Sequence, residues 1–183
     1  MGSEKEEVAI PNGYQPILEL YQEMTKAQDA NALIAALAML FVGIGTMAWL
    51  SLPLGQTSVK RNDFCSWVDT YLKTDASQPY QYVGIDVYAA RCALLHSYGS
   101  ASDLHKRRNP PKEFSYLDNG PHRADGSQLV LISIAVLIRD FGNALNAFFR
   151  SALSNADLKA RIDSRIRTLM VTMAVDENRV KTP

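Results

Sequence analysis

A long uncharged run near the N-terminus constrains this chain more than any other feature. No Asp, Glu, Lys or Arg occurs between residues 30 and 59, and the run contains the stretch ALIAALAMLFVGIGTMAWLSLPL. A helix that is apolar on every side must be buried, either at the centre of a helical protein or in a bilayer. The abundance of Ala and Gly in the run, and the wide apolar faces of the other predicted helices, favour the buried core helix over the membrane span.

The spacing of apolar residues predicts an all-α fold, a four- to five-helix up-and-down bundle with a small β-hairpin insertion. The first predicted helix covers residues 17–52, with a bend near Gly43 and Gly45. Further helices are predicted at residues 58–73, 80–98 and 134–153, and a fifth follows the N-cap Asn155 and ends near residue 174. Residues 1–14 are predicted to be a flexible leader, residues 15–175 one helical domain, and residues 176–183 a tail.

The insertion is predicted from a change of composition between residues 99 and 128, where Gly, Pro, Asn and Asp are frequent. The stretch KEFSYLDNG resembles a strand that runs into an Asn-Gly turn, and LVLIS at residues 129–133 is its expected partner strand. We therefore expect these two strands to form the hairpin.

Charge excludes a global attraction to nucleic acid or membrane, because 19 Lys and Arg residues balance 19 Asp and Glu residues. Any contact with RNA must come from a local patch. The stretch HKRRNPPK is the candidate, with His105, Lys106, Arg107 and Arg108 as phosphate-binding residues and with His122 and Arg123 extending the patch. The alternative is an ordinary solvated loop.

The two cysteines are too few for a disulfide framework and indicate a cytoplasmic protein with reduced thiols. The acidic start MGSEKEEVAI lacks the apolar segment of a secretory signal. Cys92 and His96 are four residues apart and could form a thiolate–imidazole pair. Since Cys92, His96, His105 and His122 do not have zinc-site spacing, we expect no metal and no cofactor.

The stretch RCALLHSY places three chemically versatile side chains, Arg91, His96 and Tyr98, at the end of the third predicted helix. Arg91 and His96 differ by about 140° around a regular helix, but they can converge if the helix ends near Tyr98, with Gly99 at the position after its C-cap. A histidine can act as general acid or base, and a guanidinium can hold a phosphate in two hydrogen bonds. Such a pair suits metal-free cleavage of a phosphodiester. Alternatively, Arg91 pairs with Asp86 or with a carboxylate of another helix, and His96 only packs at the helix end.

The stretch YAARCALLHSYG resembles the signature of the HEPN superfamily, in which an Arg is followed after four to six residues by a His near the end of the third helix of a bundle. Many members are dimeric, metal-independent ribonucleases, including toxins of toxin–antitoxin and defence systems. A subset that is paired with minimal nucleotidyltransferase antitoxins carries Arg-x4-His-x-Tyr, as Arg91, His96 and Tyr98 do here. The resemblance implies a homodimeric endoribonuclease with RNA as its substrate, and it makes Tyr98 a residue that assists or is modified by the antitoxin.

The chain departs from the HEPN signature at one position. Active members commonly carry Asn or Asp directly after the Arg, and this chain has Cys92. The alternative implied by this departure is a non-catalytic helical module that binds nucleotide or a protein partner.

Overall fold

A computed structural model describes residues 10–169 except 77, 79, 119 and 127. Within these residues the chain is mostly helical, with six α-helices and one small three-stranded sheet. A single hydrophobic core draws on every helix and on the sheet. The predicted helical fold with a small β insertion is confirmed at this level. Residues 1–9 of the predicted leader and the predicted tail at residues 176–183 lie outside the described residues. So do residues 170–175, the end of the predicted domain.

The first predicted helix is wrong in one respect, because it is two helices. Helix α1 covers Gln15–Asp29 and helix α2 covers Leu33–Ser51. Asn31 between them adopts a left-handed conformation with φ 58°, which Asn tolerates better than most residues and which ends a helix. Helix α2 continues through Gly43 and Gly45 without a break in its secondary structure. Gly43 instead gives the Phe141 ring room, since a Cβ there would lie 2.7 Å from its Cζ.

Helix α2 is the centre of the fold. It contacts α1 and the helices named below as α3, α4, α5 and α6. It is long and apolar enough to cross a bilayer by length and composition, and half of it is buried inside the protein. The packing of helices around it is what the sequence predicted for a core helix.

Helix α3 covers Arg61–Trp67 and continues as a π-helical segment, Val68–Leu72, so the second predicted helix is correct in place but changes its hydrogen-bond pattern. Helix α4 covers Gly84–Ser97 and carries the RCALLHSY stretch. Gly84 begins α4 where it touches α3: its N–H donates to Asp69 Oδ1 at 2.9 Å, and a Cβ would lie 2.4 Å from the Cys65 carbonyl oxygen. This close approach fixes the start of α4 against α3.

The predicted hairpin is wrong in its topology. Strands β1 (Glu113–Leu117) and β3 (Leu129–Ser133) are neighbours as predicted, but they are parallel. An additional short strand, β2 (Arg123–Asp125), precedes β3 and pairs antiparallel with it on the other side. Because the chain reverses direction twice between β1 and β3, these two strands run the same way. The Asn119 of the expected turn lies outside the described residues.

Strand β3 leads directly into helix α5, Ile134–Ser154, where Ser133 caps the helix by accepting from the Val136 N–H. Helix α6, Ala156–Arg165, begins at the predicted N-cap Asn155, whose side chain accepts from the Leu158 N–H. Tyr14, which the prediction assigned to the flexible leader, is buried. Its ring stacks on Phe149 at 5.1 Å, and its hydroxyl donates to Asp163.

Candidate active site

The last turn of helix α4 brings Arg91 and His96 together. Arg91 Nη1 lies 3.2 Å from His96 Nε2, although the two residues are five apart in sequence. His96 is exposed, whereas Arg91 is half-buried. A guanidinium can only donate, so this hydrogen bond requires His96 Nε2 to be an unprotonated acceptor. In this contact the His96 ring is neutral, and its unprotonated nitrogen lies beside the Arg91 cation.

The alternative partners of Arg91 are not used. Asp86 accepts from the Val83 N–H at 2.9 Å and from the Lys112 N–H at 2.7 Å, so its two oxygens cap the start of α4 and hold the loop before β1. No described carboxylate lies within ion-pair distance of Arg91. The structure thus leaves the Arg91 cation without a fixed counter-charge in the described part of the chain.

Tyr98 ends helix α4 in a strained conformation. It has φ 50° and ψ 36°, and its side chain is 78% exposed. The predicted place of Gly99 directly after the C-cap is confirmed, but the left-handed conformation belongs to the C-cap Tyr98 itself. The N–H groups of Tyr98 and Gly99 donate to the carbonyls of Leu94 and Ala93 and so close the helix. A tyrosine costs about 1 kcal/mol or more where a glycine would be relaxed, and strain of this kind is concentrated at functional sites.

Cys92 faces Arg91 rather than His96. Its Sγ lies 4.0 Å from Arg91 Nη1, and no hydrogen bond joins it to His96 among the described contacts. The thiolate–imidazole pair is therefore not formed in this arrangement. The second cysteine, Cys65, is no better suited as a nucleophile, because burial, and next the charge of Asp69, raise the pKa of its thiol to about 11.

The basic loop follows α4 closely, because the 3₁₀ turn Asp103–Lys106 contacts that helix. Lys106, Arg107 and Arg108 are exposed, and Lys106 pairs with Asp103 at 2.7 Å. His105 instead fixes the loop. Its Nδ1 accepts from the Ser102 N–H at 2.8 Å, and its Nε2 lies 3.3 Å from the Lys112 carbonyl oxygen. Both ring nitrogens of His105 are thus engaged within the loop.

His122 does not belong to the surface patch, which corrects the sequence interpretation. It is buried, its Nδ1 accepts from the Ser133 N–H at 3.1 Å, and its Nε2 lies 3.7 Å from Asp140 Oδ2. Because Nδ1 accepts, the ring is neutral with its proton on Nε2. Among the residues whose placement is described, no group of three His, Cys, Asp or Glu side chains could hold a metal ion.

Sequence reasoning missed two members of the site's surroundings, Tyr88 and Arg61. Tyr88 lies one turn before Arg91 on the same helix, and the Arg61 guanidinium lies 5.8 Å from the centre of the Tyr88 ring. Burial, and next the neighbouring Cys92, raise the pKa of Tyr88. The spacing of three between Tyr88 and Arg91 was the available signal, since residues three apart share a helix face.

Comparisons with known proteins add no family to this geometry. No protein-family model matches the chain, and no curated protein or solved structure matches it either.

Proposed function

We propose that this protein is a metal-independent endoribonuclease with the helical bundle fold and the homodimeric assembly of the HEPN type. The observation that carries the proposal is the 3.2 Å contact between Arg91 Nη1 and His96 Nε2 at an exposed helix end. Arg91 holds the scissile phosphate, and His96 is the general base. Lys106, Arg107 and Arg108 guide the neighbouring phosphates of the strand, while His105 keeps their loop in shape.

The contact suggests how substrate starts the reaction. A phosphate attracts a guanidinium more strongly than a neutral imidazole does, because it accepts charge-assisted, bidentate hydrogen bonds. Binding of the phosphate to Arg91 therefore releases the Nε2 lone pair of His96. That nitrogen then takes the proton of the ribose 2′-hydroxyl. The 2′-oxygen attacks phosphorus, the 5′-oxygen leaves, and the products are a 2′,3′-cyclic phosphate and a 5′-hydroxyl end.

The leaving 5′-oxygen needs a proton, and one protomer offers only one exposed histidine at the site. Dimerisation would supply a second copy of His96 as the acid, and the exposed hydroxyl of Tyr98 at this helix end is a further O–H donor. As part of the proposal, we assign the protein to the cytoplasm as the toxin of a toxin–antitoxin or defence system. Its antitoxin would be a minimal nucleotidyltransferase that modifies Tyr98.

The alternative function is a non-catalytic module of the same fold that binds nucleotide or a protein partner. Cys92 favours it, because Arg91 faces a thiol where active HEPN proteins commonly place Asn or Asp. Thermal stabilisation by nucleotides without cleavage of any RNA tested would select this alternative.

The proposed activity is tested with purified full-length protein, single-stranded RNA and an excess of chelator. We expect cleavage products that carry a 2′,3′-cyclic phosphate, and we expect His96→Ala to abolish them. Ser100→Ala, at an exposed position just past the helix, is the matched control and should cleave like the wild type. Equal cleavage by His96→Ala would overturn the proposal.

A further inference from the structure

Arg91 also lines a groove that the cleavage proposal does not use. The groove has a volume of about 610 Å³, within the range of about 300–1,000 Å³ that is common for small-molecule sites. Its walls are formed by helices α2, α3 and α4 and by the segments at residues 57–59 and 168–169. The lining residues that matter here are Val42, Trp49, Phe64, Tyr88 and Arg91. We call it the Arg91 groove.

The Arg91 groove combines an apolar, aromatic lining with positive charge. Arg91 is the charged residue in its described lining, which contains no Asp or Glu. The Arg61 guanidinium over the Tyr88 ring adds a second cation next to it. Val42 is 49% exposed although it is a large apolar side chain on the central helix. The complementary ligand is therefore flat and apolar in one part and anionic in another.

Hydroxyl side chains form part of the lining of the Arg91 groove, among them Thr46, Thr57, Ser58 and Thr168. Thr46 donates its hydroxyl hydrogen to the Val42 carbonyl at 3.0 Å, which leaves the hydroxyl oxygen able to accept a hydrogen bond. Polar groups placed beside aromatic rings can orient a bound ring by its edge.

One wall of the Arg91 groove is fixed from behind by Arg165. Its guanidinium lies 5.7 Å from the centre of the Trp49 ring and donates to the carbonyls of Leu52 and Pro53, each at 2.8 Å. Trp49 in turn donates its ring N–H to the Thr57 carbonyl at 3.3 Å. An aromatic side chain held on two sides needs little ordering when a ligand packs against it.

We propose that the Arg91 groove binds one unpaired base of single-stranded RNA while Arg91 holds the phosphate of the same nucleotide. This inference rests on the proposed function and names the class of its substrate. Single-stranded RNA is recognised by stacking unstacked bases on aromatic planes, and Trp49 and Tyr88 provide such planes in the groove. A duplex is excluded as a substrate, because its bases cannot enter a groove on the protein while they remain paired.

The test fills the Arg91 groove without touching the cationic site. Gly45 lines the groove, and a Cβ at that position would have no atom within 4 Å. In a His96→Ala background, which prevents cleavage, Gly45→Leu should weaken binding of a labelled single-stranded RNA oligonucleotide of mixed sequence by about tenfold or more. The matched control is Ala35→Leu, which adds the same side chain at an exposed position of α2 outside the groove.

An oligonucleotide in which one nucleotide lacks its base separates base binding from phosphate binding. The His96→Ala protein, whose groove is open, should bind this oligonucleotide more weakly than intact RNA. Adding Gly45→Leu should not weaken the affinity for this oligonucleotide any further. The inference is overturned by equal affinity of Gly45→Leu and Ala35→Leu for intact RNA. It is also overturned by a change of oligomeric state in Gly45→Leu, which would identify the groove as a protein interface. Cleavage of subsaturating RNA at an unchanged rate by the Gly45→Leu single variant overturns this inference alone, whereas base-dependent binding without any cleavage by the wild type overturns the catalytic proposal alone.

Discussion

Arg91 Nη1 and His96 Nε2 are hydrogen-bonded at 3.2 Å across the last turn of α4, so neither side chain has an independent role in the resting protein. The Arg91 guanidinium is bonded to Nε2 of His96, the nitrogen that would accept a proton if His96 acted as a general base. In the same way, the His96 ring is bonded to an Arg91 N–H group that could otherwise donate to a phosphate. Whatever binds Arg91 therefore changes the availability of His96. This coupling can be tested, because two coupled residues and two independent residues predict different rates for the double variant.

Arg91→Lys is expected to reduce RNA cleavage by about 100-fold or more, the usual loss when a charge-stabilising donor is removed from an active site. Lysine keeps the charge but cannot form the planar, bidentate contact with phosphate. The measurement is the initial rate with single-stranded RNA in the presence of chelator. If the two residues act as one unit, any residual rate of His96→Ala that long incubation with excess protein can resolve should not fall further when Arg91→Lys is added. A further fall by the factor of the Arg91→Lys single variant would show that the two residues act independently.

Tyr98→Gly is expected to raise the free energy of unfolding by about 1 kcal/mol, because glycine adopts the left-handed conformation without the steric cost that tyrosine pays. The same variant should lose the contribution of the phenol to RNA cleavage. Urea denaturation measures the first effect and a cleavage assay the second. Tyr98→Phe serves as the control that keeps the strain and removes only the hydroxyl. A destabilised Tyr98→Gly protein would contradict the account of strain.

The sequence was sufficient for much of this site, because the relevant information is local. The position of Arg91, His96 and Tyr98 at a helix end followed from spacing and from the chain-breaking residues after it. The left-handed conformation of Tyr98 was not predicted, because it is set by the hydrogen bonds of Tyr98 and Gly99 to Leu94 and Ala93 and not by residue type. The burial of His122 depends on packing against Asp140 and Tyr82, which lie on other elements of the fold, so no local pattern could reveal it.

The fold shows the same division between local and non-local information. The start of α6 at Asn155 was predictable because its capping bond spans three residues. The direction of β1 relative to β3 was not, since it depends on the short strand β2, whose three residues carry no clear alternation. The break at Asn31 was missed because no Pro or Gly marks it, and residues that form helices continue on both sides.

Gly84→Ala is expected to destabilise the protein by about 1–3 kcal/mol, the usual cost of overpacking. Its Cβ would lie 2.4 Å from the Cys65 carbonyl oxygen and 2.7 Å from the Cys65 Cα, and backbone atoms cannot move aside as a flexible side chain can. Gly45→Ala is the control, since open space surrounds that position within helix α2. It should stabilise the protein by up to about 1 kcal/mol through helix propensity. Urea unfolding of both variants provides the comparison, and equal stabilities would refute it.

Stability should fall at alkaline pH. Burial, with the Asp163 hydrogen bond as the next cause, raises the pKa of Tyr14 to about 12, and burial also raises the pKa of Tyr80 to about 12 and that of Tyr82 further. The folded protein thus holds these protons more tightly than the unfolded chain, in which a tyrosine has a pKa of about 10. The stabilisation is fully present below pH about 10 and is lost as pH rises through about 12. Urea midpoints measured across this range should decrease steadily.

Tyr82→Phe provides the test of that pH dependence at a single residue. The Tyr82 hydroxyl is buried and has no hydrogen-bond partner in the described part of the chain. Its removal should stabilise the protein by about 1 kcal/mol at neutral pH, because a desolvated polar group is lost. The variant should also lose less stability between neutral and alkaline pH than the wild type. An unchanged alkaline slope would mean that Tyr82 has the same pKa in the folded and the unfolded state.

His122→Ala is expected to destabilise the protein by about 3–5 kcal/mol. The substitution leaves the Ser133 N–H without its acceptor, opens a cavity beside the Tyr82 ring, and leaves the buried Asp140 carboxylate facing a void. His122→Asn should lose clearly less, because the Asn side-chain oxygen can take the place of Nδ1 as the acceptor for Ser133. Urea unfolding of both variants measures the difference. This cluster joins β3 to the first part of α5 and does not reach the end of α4. Folded His122→Asn protein should therefore retain the RNA cleavage proposed for the wild type. A selective loss of that activity would show that the buried pair of His122 and Asp140 supports the site at Arg91.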